Sequence, residues 1–225
     1  MAGVGQCYNR KMKEVQALLL DIDGTILDTR EFIFQAAEFA LATNRYPPVP
    51  RPQIAKAVGH SFDDFYGVVL GKEVSDPLPL QEAHRLFQLE HVNLSQPFPG
   101  AKETLMELKR RGYLLAAVTS RARISLIPTL DAALLTSLFD EIIASDDVSE
   151  LKPSAVPLLL ALDRMNISPS KAVMVGDTDL DIEAGKRAGT ATIRVWYGFM
   201  GPHDEKVKAD LYIEKDIKEL LELFP

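Results

Sequence analysis

Short apolar runs ending on small or polar residues alternate along the chain with longer amphipathic segments. Few folds satisfy that pattern other than a parallel sheet flanked by helices. Ala17 to Leu20 opens the series and runs straight into Asp21. Leu114 to Val118, Glu141 to Ala144, Ala172 to Val175 and Ala191 to Val195 continue it, each bounded by Gly, Asp, Ser or Thr. Between them, Ala101 to Arg111, Ser154 to Met165 and Leu180 to Ala188 read as helices, and Gly112 and Gly189 stand where a helix C-terminus favours positive φ. These segments predict a doubly wound α/β core with a Rossmann-like parallel sheet.

The alternation stops between Thr29 and Pro97, where helical patterns follow one another without a convincing strand. Phe32, Ala36, Phe39 and Ala40 recur at helical spacing within Glu31 to Thr43, and Leu86 and Leu89 repeat the habit within Leu80 to Val92. The expected organisation is therefore a core from residues 1–28 and 98–225, interrupted by a helical cap over residues 29–97. The proline-bearing stretches Tyr46 to Pro52 and Pro97 to Pro99 are placed as joints. A length of 225 residues suits one domain with an insertion, and 47% hydrophobic with 25% charged residues predicts a chain that folds throughout.

A net charge of -7 leaves no broad basic face for nucleic acid or an anionic membrane, so an anionic substrate must be held by a local site. Cys7 is the only cysteine and cannot close an intramolecular disulfide; it lies in a polar N-terminal segment expected to fray. No apolar run has the length of a signal sequence or a membrane span, and the expected location is the cytoplasm. His60, His84, His91 and His203 lack metal-ligand spacing and are assigned to the surface or to polar contacts in the cap. Oligomeric state is not legible.

Asp21 and Asp23, two apart in LLLDIDGT, project to one side of the strand end, where parallel sheets bind ligands. An Asp-Gly pair is also ordinary turn text. Asp177, Asp179 and Asp181 crowd a helix start after the strand Ala172 to Val175. The helix dipole accounts for one or two of these carboxylates; three suggest a bound cation. An EF-hand would need Gly at Ile182 and an acid at Ala188. Thr119 and Ser120 follow a third strand and can donate to an oxyanion or cap a helix, and Lys152 in ELKPS is a cation before Pro153.

In this order the segments DIDGT, Val118 to Ser120, Leu151 to Pro153 and GDTDLD resemble the four motifs of the haloacid dehalogenase (HAD) superfamily, in particular its phosphoglycolate phosphatase-like members with a helical C1 cap. FPGAKETLMELKRRG and DIEAGKRAG are similar to the flanks of those motifs, so the resemblance runs from Val15 to Phe224. It implies a magnesium-dependent phosphatase acting on a small phosphorylated metabolite, phosphoglycolate among the candidates, through a phospho-aspartyl intermediate. Asp21 would be the nucleophile and Asp23 the acid and base. Thr119, with Ser120 beside it, would hold the phosphoryl group, and Lys152 would neutralise nucleophile and phosphate. Asp21, the carbonyl of Asp23 and Asp177 would bind Mg2+, with Asp181 supporting that shell and Asp179 a further contributor.

The charges make the division sensible, since two like unit charges 4 Å apart repel by about 4 kcal/mol at an effective dielectric near 20. Asp23, lying among other acids, is expected to keep a proton for the leaving group. Its presence argues against a dehalogenase, and the absence of a lysine in VGHSFDD argues against a phosphonatase. A phosphosugar mutase of the same superfamily, which would carry a cap arginine near Phe62, and a non-catalytic binding module are the alternatives. In the cap, His60, Ser61 and Arg45 are candidates for substrate contact, whereas Phe62, Phe65 and Tyr66 fit packing.

Overall fold

The computed structural model describes residues 14–203 and 205–225, so Cys7 and the rest of the segment before Glu14 lie outside the described residues. All five expected strands form: β1 (Ala17–Leu20), β4 (Leu114–Val118), β5 (Glu141–Ile143), β6 (Ala172–Gly176) and β7 (Ala191–Val195). A further strand, β8 (Leu211–Ile213), adds an edge, and the parallel order is β5-β4-β1-β6-β7-β8. Three residues among charged neighbours give β8 no pattern of its own; pairing with β7 makes it a strand.

β1 lies in the middle, paired with β4 on one side and β6 on the other. The chain lays down strands on the β4 side, then returns to lay them down on the β6 side. The carboxyl end of β1 therefore sits at the switch point where such sheets open a crevice. Leu18 and Leu20 point into one apolar layer while Ala17 and Leu19 point into the other, and all four are fully buried. Burial of each leucine contributes roughly 1.5–3 kcal/mol. The first strand is thus fixed from both faces and both edges.

Between β2 (Leu27–Asp28) and β3 (Gln96–Pro97), a short antiparallel pair where the chain leaves and re-enters the core, lie four helices: α1 (Arg30–Thr43), α2 (Arg51–Ala55), α3 (Phe62–Leu70) and α4 (Leu78–Glu90). The interval is thus not free of strand; Pro97 sits in a pair too short to need its missing N–H. The helices share their own apolar cluster, with Phe32, Ile33 and Leu41 of α1 against Phe65, Tyr66 and Val69 of α3 and Leu80 of α4. Ser61 caps α3 by accepting from the Asp64 amide at 3.1 Å.

Both expected helices form, as α1 and α4, but part of their apolar spacing is exposed. Phe39 is 40% exposed, and Leu86 and Leu89 are 52% and 41% exposed. The buried face of α4 is Leu80, Gln81, Ala83, His84 and Gln88. Helical spacing picks out the more apolar stripe, but this helix turns a polar stripe inward, towards the cleft above the sheet. Phe39 instead leans on Phe87, with ring centroids 5.5 Å apart.

Candidate active site

The Asp21 amide donates to the Val175 carbonyl at 2.9 Å, so the β1 ladder holds this residue in place to its last bond. The chain then turns through Gly24 at φ +85°, where an added Cβ would lie 2.4 Å from Oδ2 of Asp177. Only glycine lets the turn after the first strand approach the acid after β6 this closely. Gly176 answers a similar demand, since a Cβ there would lie 2.3 Å from Cγ of Asp181.

Lys152 is buried and its ammonium is fully occupied: Nζ donates to Asp21 Oδ1 at 2.6 Å, to Asp181 Oδ1 at 2.6 Å and to the Val118 carbonyl at 2.9 Å. Burial opposes its charge, yet the carboxylates of Asp181 and Asp21 outweigh burial and hold the ammonium above its ordinary range. Asp181 is fixed on its other oxygen by the amide and hydroxyl of Thr178, at 3.0 and 2.6 Å, at the start of the helix Asp179–Ala188. Asp21 is pushed well above the usual carboxylate range by burial, countered by Lys152 and reinforced by Asp181, Asp177 and Asp23.

Asp177 is fully buried; Oδ2 accepts from the Phe199 amide at 2.6 Å, and Oδ1 has no partner among the described residues. Burial and the neighbouring Asp181 raise its pKa to about 7. One oxygen from each of Asp21, Asp177 and Asp181 falls within 4.8 Å of the others. When ionised, the three carboxylates exceed the one ammonium by two charges. The orphaned oxygen, the all-oxygen donor set and this excess fit a hard divalent cation.

The Asp23 carboxylate stands outside this cluster. Arg121 holds both of its oxygens, with Nε 3.1 Å from Oδ2 and Nη2 on Oδ1, so beside the neighbouring acid Asp21 this carboxylate has a cation that the sequence reading did not expect. Arg121 is held in turn by Thr129 Oγ1 at 3.2 Å and by the Phe32 ring, whose centroid lies 4.8 Å from Cζ. Asp179 is also corrected. It is tied to Arg194 at 2.5 Å and accepts from the Val207 amide at 3.1 Å, which makes it part of the fold behind the cluster.

Thr119 and Ser120 line the same cleft. The Thr119 amide is used in the sheet, donating to Ile143 at 3.0 Å, and its hydroxyl accepts from the Arg121 amide at 3.2 Å. Ser120 Oγ is buried without a partner among the described residues. The cleft has a volume of about 90 Å³, well above the roughly 10–15 Å³ that a single water needs. Asp21, Asp23, Lys152 and Asp181 meet there with α3 and α4 above them.

Of the cap candidates, His60 reaches the cleft, Ser61 serves as the α3 cap, and Arg45 is exposed outside it. Phe62 and Phe65 both pack and line the cleft. Sequence reasoning missed Arg121, Arg85 and Gln88. Arg121 could have been found from its place two residues after Thr119; the others share the polar stripe of α4. His84 is 2% exposed and makes polar contacts of the kind expected, with Nδ1 2.8 Å from Tyr66 Oη and Nε2 3.1 Å from Gln88 Nε2. The Gln88 amide donates to Nε2, so Nδ1–H donates to Tyr66: the ring is neutral. Burial, then the charges of Arg121 and Arg85, lower its pKa to about 3.

A sequence model of the haloacid dehalogenase-like hydrolases matches residues 18–195, a span holding Asp21, Thr119, Lys152 and Asp177 alike. The chain belongs to this family. The HAD hydrolase is 31% identical over 214 residues to pyrophosphatase PpaX of Bacillus velezensis, covering 94% of this chain and 97% of that protein. It is also 31% identical to the plasmid phosphoglycolate phosphatase of Cupriavidus necator, with 83% of each chain covered. A solved structure described as a predicted phosphoglycolate phosphatase from Haemophilus somnus superposes with a TM-score of 0.85 at 24% identity, covering 94% of this chain and 99% of that one, and shows the shared fold. No described helix is long and apolar enough to cross a membrane.

Proposed function

We propose that this HAD hydrolase is a magnesium-dependent phosphatase that cleaves small phosphate esters or anhydrides through phosphorylation of Asp21. The observation that carries the reading is the Lys152 bridge between Asp21 and Asp181 beside the unpaired oxygen of Asp177. Lys152 holds Asp21 Oδ1, which leaves Oδ2 to attack phosphorus while the ester oxygen departs. The hydroxyls of Thr119 and Ser120 donate to phosphoryl oxygens, and the Lys152 charge offsets the phosphate's repulsion from Asp21.

Mg2+, held by Asp21, Asp177 and the Asp23 carbonyl with Asp181 in support, supplies the remaining positive charge when bound. Asp23, once released by Arg121 and protonated from solvent, gives that proton to the leaving oxygen and later takes one from the water that hydrolyses the phospho-aspartate. Arg121 must first loosen its hold on the Asp23 carboxylate. Residues 29–97 act as a cap that keeps bulk water from the acyl phosphate. The relatives' names, pyrophosphatase and phosphoglycolate phosphatase, both describe cleavage that releases a leaving group with its own negative charge.

Phosphate release from p-nitrophenyl phosphate tests the reading. Turnover that needs magnesium and disappears in Asp21→Asn supports it. Activity that survives this substitution contradicts the nucleophile, and failure to turn over any phosphate ester favours a binding module.

A further inference from the structure

The roof of the cleft carries a charge that phosphoryl transfer leaves unused. Lys152 is matched by Asp21 and Asp181, and Arg121 by Asp23. Arg85 lines the same cleft and has neither an ion pair nor a hydrogen bond among the described residues. An arginine without a partner is commonplace on a surface, but Arg85 lies beside Gln81, His84 and Gln88 on the inward stripe of α4, while Glu82, Leu86 and Leu89 take the solvent side. It is half-buried, and its guanidinium carbon sits 5.9 Å from the centroid of Phe62, a second wall of the cleft.

The surroundings leave this charge free for a ligand. His84, the polar residue beside it, is neutral and already engaged on both ring nitrogens. Of the floor acids that line the cleft, Asp21 and Asp181 are held by Lys152 and Asp23 by Arg121, while Asp177 does not line it. A guanidinium is weakly hydrated and presents a planar fork suited to carboxylate or phosphate oxygens. Half-buried over an aromatic ring, it loses less by leaving water than a lysine would.

We infer that Arg85 is a specificity residue that binds an anionic substituent on the leaving group, a carboxylate or a second phosphate, while the floor takes the phosphoryl group being transferred. This rests on the proposed phosphatase reading and names its substrate class: small phosphate esters or anhydrides with negative charge at both ends. Arg85 lines one cleft together with Asp21, Thr119, Ser120 and Lys152.

The test compares kcat/KM of wild type, Arg85→Gln and Arg85→Lys on phosphoglycolate, pyrophosphate and the uncharged-leaving-group control ethyl phosphate, all with magnesium. The wild type is expected to prefer at least one of the two doubly anionic substrates, and which one separates a carboxylate subsite from a phosphate subsite. Arg85→Gln should lose roughly 10–100-fold on that substrate, the range of a lost charge-assisted hydrogen bond, and stay within about threefold on ethyl phosphate. Arg85→Lys should recover part of the loss. Unchanged thermal unfolding would confirm that the variants are folded. A fall that is equal on all three substrates, no fall on any, or a wild-type preference for ethyl phosphate overturns the assignment of Arg85 while leaving the floor's role intact. Turnover that survives Asp21→Asn overturns the reading of the floor itself.

Discussion

The floor and roof of the cleft are built on opposite principles. In the floor, strand ends held by a buried sheet deliver Asp21, Thr119 and Asp177, and Lys152 has all three of its protons placed. In the roof, one helical stripe delivers a neutral histidine, an amide and an arginine with no ion pair among the described residues. A floor so constrained can change little without losing its chemistry. A roof on a separate apolar cluster can change its side chains while the sheet stays fixed. The difference suggests that reaction type resides below and substrate choice above.

Variants can break that comparison. Lys152→Ala leaves Asp21 and Asp181 buried without their cation, and removal of one partner from such a network typically costs about 3–5 kcal/mol. Urea unfolding in the presence of a chelator should show a loss of this size; an unchanged midpoint would mean that the floor is not held by its charges. Acid should act on the roof. The histidine's pKa falls from 6.5 to about 3 on folding, so the unfolded chain binds more protons between those values. Stability from a neutral His84 is full above about pH 6.5 and declines as pH falls towards 3, by up to roughly 4 kcal/mol. Unfolding measured from pH 7 to 4 should show a shallower acid decline in His84→Gln than in wild type, and parallel curves would remove His84 from the account.

Smaller effects sharpen the contrast. Gly24→Ala adds a Cβ at φ +85° against Asp177, for an expected cost of about 1–3 kcal/mol and weaker magnesium activation. Titration of activity with magnesium checks it, and an unchanged half-saturating concentration would show that the close approach is dispensable. Leu86→Gln, on the solvent side of α4, should shift stability by no more than about 0.5 kcal/mol despite removing a leucine. A loss like that of a buried leucine, about 2–5 kcal/mol, would put Leu86 in a core.

The same division explains what could be read from sequence. β1, β4, β6 and β7 are visible because strands buried on both faces are written as continuous apolar runs, and the acids at their ends break those runs abruptly. Asp21, Asp177 and Thr119 are therefore legible on one edge from the sequence, whereas Lys152, in a loop, is tied to them only through the resemblance to the family. β8 was hidden because its order comes from pairing with β7 rather than from its three residues. The partner of Asp23 was hidden because Arg121 is distant in sequence, and no local pattern records which cation turns towards which acid. On α4 the spacing of Leu86 and Leu89 marks the helix but not its buried face, which carries His84 and Gln88 with Leu80 and Ala83.

The central claim is that the end of β1 presents a carboxylate that becomes phosphorylated. Rapid acid quench of wild-type enzyme turning over with magnesium, followed by peptide mass spectrometry, tests it most directly. A transient phosphoryl mass on the peptide containing Asp21, absent from Asp21→Asn, is the predicted result. Turnover with no such adduct at any quench time, or a phosphoryl group carried on another residue, would contradict it.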